Sequence, residues 1–329
     1  MSDTQAQGFE VLAPGPHTLI QDRGRQGVLH LGLTSAGPMD RLSFDWANRL
    51  CGNPAGVPAL EITFGGLELL ARAALQIAVT GPEAELAIND APAGLWRGHN
   101  LLPGDRVRLG HARRGCRLYL AVRGGFAVDP VFGSAATVPR EQLGGIAGRA
   151  LVRGDALPVD RARPDQPAAR RFYLPPPLRP PYPGEHDREH WLRVIPCLQA
   201  RVLPRAEKRR FFAAVYQLSA HCDRMGYRLS GEALDLPPMA LLSEGITPGT
   251  IQIPADGQPI VLMRDHQTLG GYPRIGTLLA VDIDRLAQLR SGDRVRFAPI
   301  SIDGARRALF EARRGYQRTC PVALDGQPL

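Results

Sequence analysis

Residues 103–110 read PGDRVRLG, and residues 291–298 read SGDRVRFA. In each stretch a Gly-Asp turn precedes a segment in which apolar and charged residues alternate. Alternation with a period of two predicts a short β-strand that buries one face and exposes the other. The two stretches therefore predict equivalent strands in the two halves of the chain.

A second echo supports this comparison. QDRGRQG at residues 21–27 is weakly answered by CDRMGYR at residues 222–228, and the two echoes keep the same order along the chain. We interpret them as a duplication of one barrel-like unit. A Gly-Asp turn followed by an alternating strand is also a common hairpin exit, so chance similarity is the alternative.

Strand-like runs bounded by Gly, Pro, Asn or Asp recur along the chain, and they predict an all-β protein of the sandwich or barrel type. These runs are residues 9–13, 17–21, 59–64, 75–80, 105–109, 117–123, 211–218, 250–253, 259–263, 277–283 and 293–297. Helical signals are few. Asp40 is a suitable N-cap for a helix over residues 41–51, and a shorter helix is predicted to start at Asp284.

The chain has 329 residues, enough for about two domains. A segment rich in proline and without periodicity predicts a linker that contains no packed element. We therefore expect a first domain over residues 1–157, a Pro-rich linker over residues 158–190 and a second domain over residues 191–329.

The composition excludes several classes of function. The net charge is +8, but the basic residues are arginines spread among acids, apart from a single lysine, Lys208. This pattern lacks the clustered basic face of a nucleic-acid binder. The setting of Lys208, AEKRRFF, matches neither a P-loop nor the Met-Lys-Met sequence of a biotinylated lysine.

Membrane and metal functions are not expected either. No apolar run approaches the roughly 20 residues that span a bilayer, and the N-terminus does not resemble a signal peptide, so we expect a cytoplasmic protein. The five cysteines show no CxxC spacing and predict buried free thiols. HDREH at residues 186–190 matches the HxxEH pattern of zinc peptidases, but it precedes a strand-like, proline-bounded segment, so no metal site is expected.

The richest polar stretch is DHQTLGGYPRIGTL at residues 265–278, which lies between two predicted strands. Pro273 disfavours a helix at this point, so a phosphate site at a helix N-terminus is not expected. The glycines and polar residues predict either an anion-binding nest of loop amides or a plain strand turn. Its candidate ligand-binding residues are Asp265, Gln267, Thr268, Gly270, Gly271, Tyr272 and Arg274.

Two further loops carry arginines. Gln21, Asp22 and Arg25 lie in a glycine-rich stretch that predicts either tight turns or a loop facing an anion. Arg224 and Arg228 are four residues apart, which in a strand would place both on one face. There they would hold a carboxylate or lie in solvent.

Ordered motifs give the chain a family resemblance. They are QDxGRxG (21–27), GxMD (37–40), ANxLxGN (47–53), YLAVxGG (119–125), RMGYRLxG (224–231), SEGxxxGxIQxPxxGxPIxLMxD (243–265) and QTxGGYPxI (267–275). Over nearly its whole length the chain resembles the biotin-dependent carboxyltransferase domain family. That family contains the C-type subunit of 5-oxoprolinase, the second subunit of allophanate-hydrolase-like pairs, a sporulation kinase-inhibitor antagonist and part of urea carboxylase.

The resemblance implies two cyclophilin-like β-barrel domains with few short helices. It also implies a heteromeric 5-oxoprolinase, with B-type and A-type subunits of that enzyme as partners, which opens the 5-oxoproline lactam to L-glutamate with ATP. One alternative is a carboxyltransferase component of a urea or amide carboxylase, with biotin carried by another chain. A second alternative is a non-catalytic regulator that binds a partner protein.

The resemblance also shapes the predicted roles of the residues. We expect Arg25, Arg224 and Arg274 to hold anions, and Asp265 or Asp40 to orient them or to act as a base. The sequence departs from the family pattern at two positions. Ala135 stands where GSRxT has an arginine, which removes a charge, and Arg274 stands where GGYPK has a lysine, which keeps the charge but changes its geometry. If the arginine of GSRxT contacts substrate in typical members, we expect this chain to act on a different substrate.

Overall fold

A computed structural model of the chain describes residues 8–160, 171–184, 189–237 and 241–324. Contacts between α-carbons divide the chain into two compact units. The first comprises Met1–Gln26, Ala36–Tyr182 and Thr319–Leu329, and the second comprises Gly27–Ser35 and Pro183–Arg318. Each unit therefore includes a segment from elsewhere in the sequence. The domain bounds expected from composition, residues 1–157 and 191–329, stay a prediction.

The first unit contains most of the strands. Its elements are β1 (Gly8–Pro14), β2 (His17–Gln21), α1 (Arg41–Leu50), β3 (Ala59–Thr63), β4 (Leu67–Ala71), β5 (Leu75–Thr80), β6 (Leu86–Ile88), β7 (Ala91–Ala93), β8 (Gly98–Leu101), β9 (Arg106–Leu109), β10 (Arg117–Val122), β11 (Ala156–Pro158), β12 (Phe172–Tyr173) and the late strand β22 (Val322–Ala323).

The second unit contains the remaining elements. They are β13 (Glu189–Pro196), α2 (Arg205–Ala213), β14 (Tyr216–Cys222), β15 (Gly226–Ser230), β16 (Glu244–Gly245), β17 (Thr250–Gln252), β18 (Ile260–Leu262), β19 (Leu269–Gly270), β20 (Arg274–Leu278), α3 (Ala280–Leu286), β21 (Arg294–Pro299) and α4 (Ile302–Arg318). The prediction of an all-β protein is confirmed.

Two sheets enclose the core of the first unit. One has the order β11-β1-β4-β9-β6-β7 and the other the order β2-β3-β10-β5-β8. A single cluster of buried apolar side chains draws Val11, Leu69 and Val107 from the first sheet and Ile62 and Leu120 from the second. Burial of alternate residues on facing sheets is what the period of two in the sequence predicts.

The second unit is a closed barrel of seven strands in the order β13-β20-β17-β18-β15-β14-β21. It closes through a parallel pair, β13 with β21, whereas the other pairs in the ring are antiparallel. An aromatic cluster packs where α2 meets the barrel. Phe211 of α2 stacks on Phe297 at a centroid distance of 4.8 Å, and Tyr216 lies against both rings.

The two Gly-Asp echoes form the same turn. Asp105 Oδ2 accepts a hydrogen bond from Leu102 N at 2.7 Å, and Asp293 Oδ2 accepts one from Arg290 N at 2.7 Å. A third copy joins Val152 N to Asp155 Oδ2 at 2.8 Å within the first unit. The strands after both echoes are confirmed, but the turn recurs inside one unit, so the duplication stays a prediction.

Three secondary-structure predictions need correction. Residues 211–213 end helix α2, and the strand begins only at Tyr216. The predicted strand over residues 277–283 ends at Leu278, and α3 begins at Ala280 rather than at Asp284. The 17-residue helix α4 was not predicted. Short apolar runs do not distinguish a strand from a helix that buries one face, which explains the first two errors.

Part of the proline-rich segment is packed. β12 pairs with β22, Leu174 is fully buried, and the Tyr182 ring lies 6.2 Å from that of Trp96. The expectation of a linker without a packed element is therefore wrong for this part. Proline permits such packing in short extended edge strands, where a missing N–H costs no ladder hydrogen bond. Residues 161–170 and 185–188, which include part of HDREH, lie outside the described residues.

Two further expectations concern helices and thiols. Among the described residues no helix is both long and apolar enough to cross a bilayer. All five cysteines are free, as expected, but only Cys51 and Cys116 are buried, and Cys320 is exposed. The strand expected after HDREH is confirmed as β13, but it begins at Glu189, so the last two residues of HDREH belong to the strand and not to the predicted linker.

Two buried tyrosines provide a matched test of the fold. The Tyr119 hydroxyl donates to Glu61 Oε2 at 2.8 Å and accepts from Asp40 N at 2.8 Å. The Tyr216 hydroxyl is buried without a hydrogen-bond partner among the described residues. We expect Tyr119→Phe to lower the free energy of unfolding by about 1–3 kcal/mol and Tyr216→Phe not to lower it. Urea unfolding of both variants measures this, and equal losses would contradict it.

Candidate functional site

Four adjacent barrel strands align a row of side chains on the outer wall of the second unit. In the order β20-β17-β18-β15, Arg274 pairs with Gln252, Gln252 with Ile260, and Ile260 with Arg228. Directly opposed residues project from the same face of a sheet. The alternate residues on these strands are buried: Tyr227, Ile251, Val261 and Ile275. The row therefore faces away from the barrel interior.

A cavity of about 500 Å³ lies along this row. It brings together three of the predicted binding residues, namely Arg228, Gln267 and Tyr272. It also includes residues that were not among the predicted binding residues: His221, Cys222, Asp223 and Gln252. The motif IQxP contains Gln252, but a glutamine inside a short apolar strand gives no signal without the register of its neighbours.

The polar groups of the cavity differ in how they are satisfied. Asp223 is committed to the turn before β15, because its Oδ1 accepts hydrogen bonds from Met225 N at 2.8 Å and Gly226 N at 3.1 Å. Arg228 is exposed and has no ion-pair partner within the described part of the chain. Gln252 is 1% exposed, and its Nε2 has no hydrogen-bond partner there. The cavity thus offers a cation and a buried amide.

A short ribbon made of β16 and β19 lies beside this row. Glu244 pairs with Gly270 in the ribbon, and Arg274 forms an ion pair with Glu244 and donates to Gly245 O at 3.3 Å. Thr268 accepts a hydrogen bond from Ile246 N through its carbonyl oxygen at 3.2 Å. Gly271 and Tyr272, which follow the ribbon, are exposed. Arg274 is therefore engaged in holding the ribbon.

The predicted residues of the first unit bind neighbouring loops. Gln21 joins two of them, accepting from Gly37 N at 3.1 Å and donating to Thr137 O at 2.9 Å. Asp22 accepts hydrogen bonds from Ser134 Oγ at 2.6 Å and Ala135 N at 2.7 Å. Buried Arg25 donates to the carbonyl oxygen of residue 136 at 2.8 Å. QDRGRQG and GSAAT thus hold each other in place.

Asp40 has a structural role at the start of α1. Its Oδ1 accepts from Ser43 N at 3.0 Å, as expected of an N-cap, and its Oδ2 accepts from Ser43 Oγ. The nearby Tyr119 hydroxyl bridges Asp40 N and Glu61. Burial, together with the Glu61 and Asp40 carboxylates, raises the pKa of Tyr119, so this hydroxyl stays protonated and donates to Glu61.

The sequence matches the profile of the carboxyltransferase domain, subdomain A and B, over residues 31–299. The chain belongs to this carboxyltransferase domain family. It is 36% identical to the C-type subunit of 5-oxoprolinase from Escherichia coli over 94% of the chain and 97% of that protein. It is 33% identical to the corresponding 5-oxoprolinase protein of Haemophilus influenzae, over 90% and 93% respectively.

A solved structure shows the same fold. The chain superimposes on the urea amidolyase of K. lactis with a TM-score of 0.87 at 28% identity. The superposition covers 96% of this chain but only 20% of the urea amidolyase. A carboxyltransferase domain of this family can therefore stand as a whole protein or form one part of a much larger one.

Ala135, which stands in place of the arginine of GSRxT, is buried. Its side chain is 3% exposed and belongs to the apolar core of the first unit. An arginine here would have to leave that core, because an unpaired guanidinium is costly to bury. The substitution therefore changes the packing of the GSAAT loop as well as its charge.

Arg224 and Asp265 form a buried ion pair. Arg224 donates through Nε and Nη2 to both carboxylate oxygens of Asp265, at 2.8 and 2.9 Å. Arg224 precedes β15 and is buried, whereas Arg228 is exposed on β15, so the prediction that they share one face is wrong. The turn before the strand changes the direction of Arg224. This geometry suits the orienting role considered for Asp265; its role as a base stays a prediction.

Two further features concern the Asp265 region, the neighbouring His266 and metal binding. His266 is buried, and its Nδ1 lies 2.5 Å from Gln267 O, which fixes the ring against its own loop. Among the described residues no group of three or more His, Cys, Asp or Glu side chains could hold a metal ion.

The buried pair leads to a prediction about stability. Arg224→Met removes the guanidinium that forms two hydrogen bonds with the buried Asp265 carboxylate, and we expect this to lower the free energy of unfolding by about 3–5 kcal/mol. The double variant Arg224→Met/Asp265→Leu removes both charges and should recover most of that loss. Chemical unfolding of both variants measures it. A double variant as unstable as the single variant would show that the pair is not the cause.

Proposed function

We propose that this chain is the C-type component of a heteromeric 5-oxoprolinase, which opens the 5-oxoproline lactam to L-glutamate. The observation that carries this proposal is the identity of 36% and 33% to two 5-oxoprolinase proteins of that type along almost their whole lengths. Its partners would be a B-type and an A-type chain of 5-oxoprolinase. ATP would be consumed by the complex.

The chemistry of the outer-wall cavity supports this proposal. Opening a lactam requires that its carbonyl be polarised while negative charge builds on oxygen, and that the substrate carboxylate be held in place. Preorganised amide donors and arginines do both without a proton transfer. Gln252 and Arg228 supply one group of each kind within one cavity.

This chain does not carry a P-loop nucleotide site. The sequence has no P-loop, and its single lysine is engaged elsewhere, since Lys208 Nζ donates to Ala200 O at 2.8 Å. The contribution of this chain would be to bind and orient the lactam.

Reconstitution tests the proposed function. The chain is mixed with its A-type and B-type partners, and glutamate release from 5-oxoproline is measured with and without ATP. We expect release that requires ATP and is abolished when this chain is omitted. Full activity of the two partner chains alone would contradict the proposal and would favour a regulatory role.

Carboxyl transfer is the second candidate, favoured by the TM-score of 0.87 to a urea amidolyase. In that function a biotin carried by another chain would deliver the carboxyl group, because the setting of Lys208 is unlike that of a biotinylated lysine. A streptavidin blot of the purified complex distinguishes the two candidates. A complex that is active but contains no biotinylated chain removes carboxyl transfer.

Kinetics can test whether Arg274, which holds the β16–β19 ribbon, also serves the substrate. Its ion pair with Glu244 is solvent-accessible, because the Glu244 side chain is 56% exposed, so it contributes little to stability. If Arg274 serves the substrate, Arg274→Ala should lower kcat/KM by about tenfold or more without lowering Tm by more than a few degrees. Glu244→Gln keeps the arginine and serves as the control. Equal kinetics in Arg274→Ala and the wild type would show that Arg274 only holds the ribbon and does not serve the substrate.

A further inference from the structure

The cavity of the second unit is lined by a buried amide that is not fully hydrogen-bonded within the described residues. Gln252 is 1% exposed, lines the cavity, and its Nε2 has no hydrogen-bond partner in the described part of the chain. Leaving a buried polar group unsatisfied costs about 1–3 kcal/mol. Such a group in the wall of a cavity is explained if a ligand supplies the missing partner.

The barrel register places a cation at a defined position relative to this amide. Gln252, Ile260 and Arg228 lie opposite one another on three neighbouring strands. Two interstrand spacings separate the α-carbons of Gln252 and Arg228, a distance of roughly 10 Å. An amide and a guanidinium therefore flank an apolar side chain on one face.

We propose that this row binds the carboxylated lactam, with Gln252 on the amide of the ring, Ile260 beneath the ring methylenes and Arg228 on the carboxylate. This inference rests on the proposed function and assigns residues to its substrate. Because Arg228 has no ion-pair partner among the described residues, its guanidinium can accept the carboxylate without breaking an existing pair.

The amide explains why a lactam would be selected. A ring forces its amide into the cis arrangement, in which N–H and C=O point to the same side. A primary carboxamide such as that of Gln252 offers one acceptor and two donors, so it can form two parallel hydrogen bonds with this edge. Open-chain secondary amides are trans and present the two groups on opposite sides. The same hydrogen bond to the lactam oxygen stabilises negative charge that develops there.

Gly270 is part of the same arrangement. A Cβ at position 270 would lie 2.3 Å from Gln252 Nε2 and 3.1 Å from Ile246. The backbone of β19 thus packs directly on the amide, and any side chain at position 270 would displace it. Gly270→Ala therefore perturbs the Gln252 amide without changing Gln252 itself.

The assignment is tested by titrating the full-length chain with three ligands and measuring the affinity for each by NMR. 5-Oxoproline carries both groups, 2-pyrrolidinone carries only the lactam, and proline carries the carboxylate but no ring carbonyl. We expect Gln252→Leu to weaken 5-oxoproline and 2-pyrrolidinone by about tenfold and to leave proline unchanged. Arg228→Gln should weaken 5-oxoproline and proline and leave 2-pyrrolidinone unchanged. Gly270→Ala should follow Gln252→Leu.

Matched controls separate this result from general damage. Gln217→Leu removes an exposed amide of the same barrel, whose Nε2 donates to Gly292 O at 3.1 Å, and Arg306→Gln removes an exposed arginine of α4. Both should bind all three ligands as the wild type does. Gln252→Leu should not lower Tm, because it removes an unsatisfied buried amide. A merely structural role for Gln252 predicts a lower Tm instead.

The outcomes for this inference and for the proposed function can be told apart. Absence of 5-oxoproline binding to the wild-type chain, or equal affinity in the wild type, Gln252→Leu and Arg228→Gln, would overturn the assignment of the cavity even if the reconstituted complex releases glutamate. If the variants change the affinities of the three ligands as expected but the complex releases no glutamate, the cavity binds a carboxylated lactam and the proposed activity is wrong.

Discussion

The parallel pair of β13 and β21 closes the barrel of the second unit, and the candidate site depends on that closure. A closed ring leaves no strand edge free, so each strand has a fixed neighbour on both sides and a fixed register. A slip of one residue in β17 would turn Gln252 into the apolar interior and Ile251 outward. The buried set of Tyr227, Ile251 and Val261 opposes such a slip. The hydrophobic interior therefore determines which polar groups meet on the outer wall.

Polar groups buried in this molecule differ in how they are satisfied. Arg224 and Asp265 satisfy each other with two hydrogen bonds, and the Tyr119 hydroxyl bonds to Glu61 and to Asp40 N. These groups specify one arrangement of the loops around them. When one partner is removed, the other stays buried without that hydrogen bond, which costs free energy of folding. Gln252 is different, since its Nε2 has no partner among the described residues. A buried donor without a hydrogen-bond partner is expected where a bound ligand supplies that partner.

Much of the fold could be predicted from the sequence, because alternation and turn residues act locally. Asp40 caps α1 as its position before an amphipathic segment indicated, and the Gly-Asp turns precede strands β9 and β21. The errors arise where burial, rather than local preference, selects the structure. The apolar run 277–283 becomes a strand and then a helix because Ile283 and Leu286 bury one face of α3. The segment that carries Leu174 packs in spite of its prolines.

The candidate site was harder to predict, since it is a property of pairing between distant strands. Gln252, Ile260 and Arg228 come from separate motifs, and only the register places them in one row. The family motifs indicated Arg228, Gln267 and Tyr272, but they gave Gln252 no more weight than its apolar neighbours. They also favoured Arg224 and Asp265, which neutralise each other. A conspicuous charge in a motif is often already paired inside the fold, whereas an amide among apolar residues is conspicuous only when its missing hydrogen bond is found. The glycine at position 270 follows the same logic, because it is needed for the space that the Gln252 amide occupies and not for a turn.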